Sequence, residues 1–583
     1  MLTPPFVLLD DARPGGTAQL HRDPVRILHA DTLADMPALL DRLRAARTEG
    51  LHAAGFLAYE AGAAFEPSLP DPGGSAPLAW FGLFRAAEPV DAAALLPDPA
   101  GAIVRAAEPL IDRDTYDARF AAVQALVAAG DVYQANLTFP ASVGIVGDPL
   151  SAYAAIRERA RGGWSALLAT GDMLVLSFSP ELFFTLDGDQ LSARPMKGTA
   201  RRQPDPAEDR RAAAALAADP KQRAENLMIV DLLRNDLARV AEAGSVSVPE
   251  LFALERYPTV HQMVSAVTSR LAAGRDALDV LAAAFPCGSI TGAPKLRAIE
   301  ALAAIEQRPR GVYTGAIGRI APDGSAAFNV AIRTLTVRDG SATIGLGGGI
   351  VADSRADEEW DEALAKAAFL TAGQRAIDLI ETMAFDPVQG VVLLERHLAR
   401  LTASATALGF RFDRHAARNE LQAATFRLRE PRKVRLLLAR SGALAVEVAA
   451  MPAPVERLEA AVVPLPVTPQ DYRLRHKTSD RGFYDRARAA AGTAEVVFED
   501  PDGFLTEGSW TSLFVERDGR LLTPPLARGL LPGVLRAELV ASGRAVEADL
   551  RRADLAGGFL LGNALRGLIP AHVAVANSPI RPV

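Results

Sequence analysis

Lys197 is the first residue of the chain whose surroundings suggest chemistry. It stands in the segment ARPMKGTARR, directly before Gly198 and Thr199. A lysine beside a glycine lets an amine and the peptide backbone approach a ligand together. An exposed lysine in a turn is nevertheless the commoner explanation, and the segment by itself favours that simpler interpretation.

Two groups of acidic residues could hold a divalent cation. Glu225 shares a helical face with apolar residues such as Met228 and Ile229, so its carboxylate should be half-buried and in need of a partner. The second group begins a helix near residue 358, where Glu362 and Lys366 have the spacing of a surface ion pair. A magnesium site is the sharper alternative, because hard cations take carboxylate oxygens.

Two glycine-rich segments are PCGSITGAPK (286–295) and GLGGGI (345–350). Neither fits the dinucleotide fingerprint or the phosphate loop, so nucleotide binding is not supported. We expect the successive glycines to follow a strand and to expose backbone N–H groups that could cradle a small carboxylate. These glycines are Gly347, Gly348 and Gly349.

The elements that must position these residues mix long helices with strands that do not alternate in polarity. Helices are predicted over residues 116–129, 206–217, 225–241, 277–284, 294–305 and about 358–378. Strands are predicted over residues 132–139, 173–178, 182–186, 327–337 and 342–346, and a hairpin turn at the DPVQG of IETMAFDPVQGVVLL.

Composition limits the classes of protein that remain. The chain has 583 residues and a net charge of −7, with 49% apolar and 23% charged residues, which excludes a disordered, collagen-like or coiled-coil chain. Its length indicates more than one domain, and we place a boundary between residues 374 and 375. Mild acidity argues against a nucleic-acid partner.

The single cysteine, Cys287, excludes an internal disulfide and a thiolate-rich metal site and is compatible with a reducing compartment. No apolar stretch approaches the roughly 20 residues that a bilayer requires, and the amino terminus lacks a signal-like pattern. We therefore expect a cytoplasmic protein without membrane association.

Residues 110–370 resemble the chorismate-utilising enzymes. The motifs GDVYQANLTF, SPELFF, PMKGTARR, ENLMIVDLLRNDLARV, PCGSITGAPK, YTGAIG, NVAIRTL and GGGIVADS occur in the order of that family. Within it, the lysine of PMKGT and the segment GSITGAPK resemble aminodeoxychorismate synthase component I. Residues 1–100 resemble the family's more variable amino-terminal portion, and a domain of this type is expected over residues 1–374.

The resemblance implies a role for each matching residue. Lys197 would attack the ring of chorismate, which requires an uncharged amine that burial or neighbouring cations would favour. Glu181 would be the general acid for the departing 4-hydroxyl, with a pKa raised toward neutrality by burial. Glu225 and Glu362 would hold Mg²⁺. The substrate-binding residues would be Gln134, Asn136, Gly198, Thr199, Tyr313, Arg333, Gly347, Gly348 and Gly349.

Ammonia is expected from a partner. A glutamine amidotransferase of the usual kind needs a cysteine nucleophile in a tight turn, and Cys287 lies instead inside the synthase-like motif FPCGSITG. A separate amidotransferase subunit is therefore the expected ammonia source, with free ammonia as the weaker substitute.

Residues 375–583 resemble fold-type IV pyridoxal-phosphate enzymes, and among them aminodeoxychorismate lyase. The resemblance rests on LIETMAF, LLERHLARL, LRHKTSD, DGFLTEGSW, LLPGVLR and GNALRG, although Lys477 could be a loop lysine and Arg400 the end of a solvated helix. It implies that Lys477 binds the cofactor covalently and transfers the proton, that Glu507 faces the pyridine nitrogen, and that Arg400 binds the phosphate.

Further cofactor or substrate contacts are implied for Tyr484 and for the backbone N–H groups of Val534 and Leu535, at the start of a helix. Arg435, Asn563 and Arg566 are weaker candidates for contacts with substrate or cofactor. Thr511 and Ser512 replace an asparagine that the family often has there, which puts one supporting hydrogen bond in doubt.

The two resemblances together imply synthesis of 4-aminobenzoate for folate, because the product of the first activity is the substrate of the second. The expected fold is an α+β domain of large sheets packed face to face with outer helices, followed by a two-subdomain α/β domain of fold-type IV.

Relatives of the second domain are commonly dimers, so a homodimer is a possibility. The alternatives are an anthranilate or isochorismate synthase fused to a D-amino-acid or branched-chain transaminase, and a non-enzymatic scaffold.

Overall fold

The structure is a computed structural model that describes residues 2–69, 77–257 and 260–574. The chain forms two compact units. Unit 1 comprises Met1–Leu96, Ala106–Gly144 and Tyr153–Ala372, and unit 2 comprises Pro97–Arg105, Ile145–Ala152 and Gly373–Val583. The division into functional domains between residues 374 and 375 remains a prediction.

The helices of the described residues begin and end at caps that the sequence supplies. Asp276, for example, caps the helix that follows it through the backbone N–H groups of Leu278 and Asp279. The helices are α1 (Met36–Thr48), α2 (Ala92–Leu95), α3 (Arg113–Ala128), α4 (Pro149–Ala160), α5 (Pro206–Ala218), α6 (Pro220–Ala238), α7 (Ala277–Ala284), α8 (Lys295–Glu306), α9 (Ala356–Ala365), α10 (Leu394–Leu408), α11 (Arg414–Thr425), α12 (Gly482–Ala491) and α13 (Val534–Ala541).

The strands are short to medium in length, and many are buried on both faces. They are β1 (Phe6–Asp10), β2 (Ala18–Arg22), β3 (Arg26–Ala30), β4 (His52–Leu57), β5 (Ala79–Phe84), β6 (Glu88–Val90), β7 (Ala102–Val104), β8 (Glu108–Pro109), β9 (Gln134–Val143), β10 (Ile145–Gly147), β11 (Trp164–Ala169), β12 (Met173–Ser179), β13 (Leu182–Asp187), β14 (Gln190–Arg194), β15 (Met196–Arg201), β16 (Ser247–Arg256), β17 (Val260–Arg270), β18 (Gly292–Ala293), β19 (Ala316–Ile320), β20 (Ala326–Val330), β21 (Thr334–Arg338), β22 (Ser341–Ile350), β23 (Leu379–Asp386), β24 (Gly390–Val391), β25 (Arg432–Leu438), β26 (Leu444–Ala450), β27 (Leu458–Pro464), β28 (Glu495–Glu499), β29 (Leu505–Gly508), β30 (Ser512–Arg517), β31 (Arg520–Thr523), β32 (Ala545–Glu547), β33 (Phe559–Asn563) and β34 (Gly567–Val573).

Unit 1 is built on two antiparallel sheets, each of ten strands in the described part of the chain. The first has the order β18-β9-β22-β21-β12-β11-β1-β2-β6, with β8 beside β9, and the second has the order β15-β17-β14-β13-β20-β19-β4-β5-β3, with β16 beside β17. Apolar residues of both sheets share one core, so the sheets pack face to face. Helices α1, α6 and α7 pack on the other face of the second sheet.

The face-to-face α+β fold expected for unit 1 is confirmed. The chain passes from the first sheet to the second between β12 and β13, and back again between β20 and β21. Glu181 and Arg333 lie at these two crossings, which is why a single continuous strand over residues 327–337 was the wrong prediction. Arg333 has a φ of +51°, which interrupts an extended chain.

One further prediction about elements needs correction, and two agree with the structure. The helix predicted to reach residue 378 ends at Ala365, after which the chain turns and buries Ala367 and Leu370. The predicted hairpin is present, since Asp386 of β23 pairs with Gly390 of β24. The predicted helix over residues 277–284 coincides with α7.

Unit 2 contains the sheet β24-β23-β25-β26 and a mixed sheet of order β29-β28-β27-β34-β33-β30-β31-β32. Helices α10 and α11 bury apolar faces against the first of these sheets. The expected class of two sheet-and-helix subdomains is confirmed. In the described ranges of the chain, no helix has both the length and the hydropathy that a bilayer crossing would need.

Candidate active sites

The first candidate site lies where β15 carries Lys197. The pairing of β15 with β17 shifts in register between Met196 and Thr199, and Gly198 adopts a φ of +97°. This bulge turns the lysine out of the regular ladder. Its Nζ lies 3.7 Å from Oε2 of Glu225 on α6, so a carboxylate rather than the expected cation stands beside the amine.

Glu181 is the buried acid of this site. Burial raises its pKa to about 7, against the opposing effects of the Ser289 hydroxyl, the Lys197 amine and the backbone N–H of Met196. Its Oε1 has no hydrogen-bond partner among the described residues. A carboxyl group with this pKa can donate a proton near neutral pH.

The glycine run does not follow a strand, as the sequence suggested, but lies within β22. Gly347 pairs with Thr138 of β9, and Gly349 pairs with Asn136. Because glycine has no side chain, these positions leave space next to the strand. A methyl group at Gly349 would lie 2.3 Å from Nε2 of Gln134 and 3.1 Å from Nζ of Lys197, so these three residues converge.

Replacing Gly349 by alanine is expected to lower the turnover of unit 1 by about 100-fold, because the added methyl displaces groups that surround Lys197. Steady-state rates on chorismate measure this effect. The matched control is Gly557→Ala, where an added methyl meets no atom within 4 Å. A wild-type rate for Gly349→Ala would show that the space beside Lys197 is not needed for the reaction.

The acidic residues of α9 approach the same glycine run. Glu362 pairs with Lys366 at 2.9 Å, as its spacing predicted, and Lys366 Nζ also donates to the carbonyl of Gly347. Glu359, an acidic neighbour that was not predicted to be a metal ligand, lies 3.0 Å from where a Gly348 methyl would stand. Burial acts to raise the pKa of Glu362, but Lys366, with a smaller contribution from Lys197, brings it below the usual value.

These carboxylates have the chemistry of a magnesium site without forming a complete one. No group of three or more potential ligands that could hold a metal ion occurs among the residues that the structure describes. Glu225 and Glu362 could each supply one oxygen, and Mg²⁺ commonly takes the remainder from water and substrate. Each carboxylate lies beside a lysine, Glu225 at 3.7 Å from Lys197 and Glu362 at 2.9 Å from Lys366, and its negative charge would also attract a divalent cation.

The other predicted substrate residues are spread more widely. Gln134 is buried, and its Oε1 has no partner in the described ranges. Thr199 is exposed and donates to Gln262, while Tyr313 packs on Gly345. Arg333 places its guanidinium 5.9 Å from the Phe369 ring centre, and burial lowers its pKa. Asn136 is buried on β9.

The second candidate site surrounds Lys477 in unit 2. Burial, together with the guanidinium groups of Arg400 and Arg481, lowers the pKa of this amine to about 7, against the opposing effect of Glu381. A large fraction of the amine is therefore uncharged near neutral pH. Such an amine can bond to a carbonyl carbon.

Glu507 is buried near the end of β29. Tyr484 donates to its Oε1 at 2.6 Å, and the backbone N–H of Leu531 donates to its Oε2 at 3.1 Å. Burial raises the pKa of this carboxyl to about 7. Each oxygen retains a lone pair that could accept a proton from a ring nitrogen.

Arg400 has a partner that the sequence did not reveal. Its Nε and Nη2 bind both oxygens of Glu381 at 2.8 and 2.6 Å, and its Nη1 donates to the carbonyl of Pro532. His397 also contacts Glu381, at 2.6 Å. Glu381 could have been found in the sequence, because it is the one acidic residue of the apolar segment LIETMAF. A carboxylate in a buried strand must have a partner.

The contact with Pro532 places Arg400 beside the start of α13, where Val534 and Leu535 present first-turn backbone N–H groups. An arginine and a helix start together can bind a phosphate. Three buried polar atoms have no hydrogen-bond partner in the described part of the chain: Oγ1 of Thr478, Nη1 of Arg481 and Nε2 of His397. Thr478 follows Lys477 directly in the chain, and Arg481 and His397 interact with Lys477 electrostatically. These residues fit a phosphorylated pyridine cofactor.

Thr511 and Ser512 stand where the family often has an asparagine, and different hydrogen bonds form there. Thr511 donates to Glu495, a fully buried carboxylate that also accepts from the backbone N–H groups of Ser509 and Trp510. The weaker candidates have local partners: Arg435 lies 3.5 Å from Glu447, Asn563 accepts from the backbone of Arg566, and Arg566 donates to Ala453.

Comparison with known proteins finds one family match in each of the two parts of the chain that carry these candidate sites. The family model described as chorismate binding enzyme matches residues 7–372, and the model described as amino-transferase class IV matches residues 378–573. A crystal structure of anthranilate synthase component I from Streptococcus pneumoniae TIGR4 has a TM-score of 0.53 at 24% identity, covering 64% of this chain and 93% of that one. This is a likeness of fold.

Two curated relatives show similar identity but carry different names. Aminodeoxychorismate synthase component 1 of Escherichia coli (strain K12) is 45% identical over 254 residues, 44% of this chain and 56% of that protein. Anthranilate synthase component 1 of Streptomyces coelicolor is 44% identical over 260 residues, 44% of this chain and 51% of that protein. The chain thus spans little more than half the length of the curated relatives it matches.

Proposed function

Because the chain belongs to the chorismate binding enzyme family and carries a class IV aminotransferase domain after it, we propose that it makes 4-aminobenzoate in two steps. Unit 1 aminates chorismate to 4-amino-4-deoxychorismate, and unit 2 eliminates pyruvate from that product, supplying folate synthesis. The observation that carries the proposal is the Lys197 amine beside the buried acid Glu181.

The first step uses these two groups in sequence. The Lys197 amine forms a carbon–nitrogen bond to the chorismate ring as the bond to the 4-hydroxyl breaks, and Glu181 donates the proton that lets oxygen leave as water. Ammonia then displaces the lysine, which recovers its free amine. The net change is chorismate plus ammonia to the amino product plus water.

Charge in the first site must suit a dicarboxylate substrate. Glu225 and Glu362 would hold Mg²⁺ against one substrate carboxylate, and Arg333 would neutralise negative charge elsewhere on the ring. Gln134, Asn136 and the glycine run would border the ring, with Gly198, Thr199 and Tyr313 at its margin. Glu359 is added to the acids that could contact the cation, because it faces Gly348.

In unit 2 the class IV domain implies pyridoxal phosphate, which supplies an electron sink for bond cleavage next to an amine-bearing carbon. Arg400 and the N–H groups of Val534 and Leu535 would hold its phosphate, and Glu507, supported by Tyr484, would face its ring nitrogen. Lys477 would hold the cofactor covalently and move the proton that aromatisation releases.

Ammonia would come from a separate glutamine amidotransferase subunit. Cys287, the one cysteine of the sequence, is buried, and burial raises the pKa of its thiol to about 12. Such a thiol is not an activated nucleophile. A homodimer and a cytoplasmic location remain predictions from the sequence.

The pH dependence of unit 1 should report Glu181. Because the acid must be protonated to donate and its pKa is about 7, the amination rate is expected to decline above about pH 7. Glu181→Gln should lower the rate about 100- to 10,000-fold and abolish that decline. The rates are measured at constant free ammonia, with pyruvate release by unit 2 as the control. An unchanged alkaline limb in Glu181→Gln would assign the titration to another group.

Anthranilate formation is the second candidate for unit 1, because an anthranilate synthase relative is nearly as similar as an aminodeoxychorismate synthase. The decisive experiment incubates the chain with chorismate, ammonium, Mg²⁺ and pyridoxal phosphate, and identifies the product by mass and chromatography. 4-Aminobenzoate is expected. Anthranilate, its 2-amino isomer, would favour the rival, and omission of Mg²⁺ should stop either reaction.

A further inference from the structure

We propose that Asn226 and Ser265 are positioning residues that hold the peptide of Lys197 so that its amine reaches the substrate. Neither residue belongs to the set of groups that would touch chorismate. The inference rests on the proposed function, since it concerns the placement of the Lys197 nucleophile. It assigns a function to two fully buried polar side chains behind β15.

The two residues form a directed chain of hydrogen bonds that ends on Lys197. The backbone N–H of Phe252 donates to Ser265 Oγ at 3.1 Å, and Ser265 Oγ donates to Asn226 Oδ1 at 2.6 Å. Asn226 Nδ2 then donates to the carbonyl of Lys197 at 3.2 Å. A carbonyl can only accept, so the Asn226 amide is fixed in one orientation.

The backbone at Lys197 needs such a restraint. The register shift between Met196 and Thr199 takes the Lys197 peptide out of the ladder with β17. The next residue, Gly198, has a φ of +97°, and glycine adopts either sign of φ at little cost. Gln262 restrains the bulge by donating to the carbonyl of Gly198, and Asn226 supplies the corresponding restraint at the carbonyl of Lys197.

Helix α6 fixes both ends of the lysine with consecutive residues. Glu225 lies 3.7 Å from the amine, and Asn226 holds the carbonyl of the same residue. Asn226 is buried on the side of α6 that packs on β15 and β17. The position of the amine is thus set by the helix as well as by the strand that carries it.

The test compares variants in the full chain. Asn226→Leu keeps the number and branching of the side-chain heavy atoms but removes both hydrogen bonds, and we expect it to lower kcat for chorismate amination about 10- to 100-fold. Ser265→Ala should lower kcat about tenfold, because a freed Asn226 amide holds the carbonyl less firmly. KM for chorismate should stay within about threefold in both, since the groups that bind substrate are intact.

The matched control is Ser269→Ala, four residues along the same strand. Ser269 is also buried, and its hydroxyl has no partner among the described residues, so the substitution removes the same atom without touching Asn226. Its kcat should be unchanged. Pyruvate release by unit 2 provides a second control for the integrity of each preparation.

The outcomes separate this inference from the proposed function. If Lys197→Ala is inactive while Asn226→Leu and Ser265→Ala keep the wild-type kcat, the positioning role is wrong and the nucleophile stands. A rise in KM alone would also overturn it, because it would make Asn226 a binding residue. Should Asn226→Leu fail to fold, Ser265→Ala against Ser269→Ala decides. Full amination by Lys197→Ala would refute the nucleophile role on which this inference rests, whereas a wild-type chain that forms no 4-amino product would refute the proposed function.

Discussion

Lys197→Ala should lose aminodeoxychorismate formation by at least about 1,000-fold, since removal of a covalent nucleophile can cost on the order of 10⁶-fold. The alanine leaves the ring without an attacking amine and removes the Nζ atom that lies 3.7 Å from Glu225. The measurement is the rate of amino product from chorismate and ammonia, with pyruvate release from supplied aminodeoxychorismate followed separately. The second rate should be unchanged.

A matched control separates loss of the nucleophile from loss of a positive charge. The amine of Lys221 pairs with Asp353 at 2.8 Å on the surface, and this pair is the main reason that its pKa is raised; Glu225 and Glu359 contribute less. Lys221→Ala should stay within about threefold of the wild-type rate, as expected for an exposed pair. Equal rates for Lys197→Ala and the wild type would mean that ammonia attacks the ring without the lysine.

Lys477→Ala should abolish pyruvate release by unit 2 and the covalent attachment of its cofactor. Burial and two guanidinium groups lower the pKa of this amine to about 7, so the uncharged form needed for attachment is abundant at neutral pH. After incubation with pyridoxal phosphate and reduction with borohydride, intact mass spectrometry of the wild type should show one retained cofactor. The variant should show none, while its amination rate stays normal.

The sequence offers a clear control for this experiment. Residues 373–583 contain only two lysines, Lys433 and Lys477. Lys433→Ala should retain both the attached cofactor and pyruvate release. Peptide mapping that places the cofactor on Lys433, or an active Lys477→Ala variant, would contradict the assignment. Loss of cofactor in both variants would indicate unfolding of unit 2, which circular dichroism detects.

Local signals in the sequence predicted much of the fold. Helix α7 lies where periodicity placed it, because Asp276 caps it and its apolar residues are contiguous in the chain. The two families and the two candidate lysines were indicated by motifs whose residues are close neighbours in sequence. These features depend on interactions within a few residues, so they can be identified without coordinates.

The wrong predictions of secondary structure occur where pairing with other strands decides the conformation of a segment. Residues 327–337 have the composition of one strand but divide between two sheets at Arg333. The glycine run was expected to follow a strand and instead continues it, because β9 supplies a ladder as far as Ile350. In both cases the preferred conformation of the residues was compatible with either outcome, and pairing with distant strands decided it.

The sequence by itself determined which residues could do chemistry: the types Lys197, Glu181, Lys477 and Glu507, and the motifs around them. Only the tertiary structure decided what surrounds each one. It placed Glu225 beside the Lys197 amine, Glu381 on Arg400 and Asn226 on the Lys197 carbonyl. The reason is physical, because burial and charge partners come from residues far apart in the chain, and these set protonation and position once the sheets have formed.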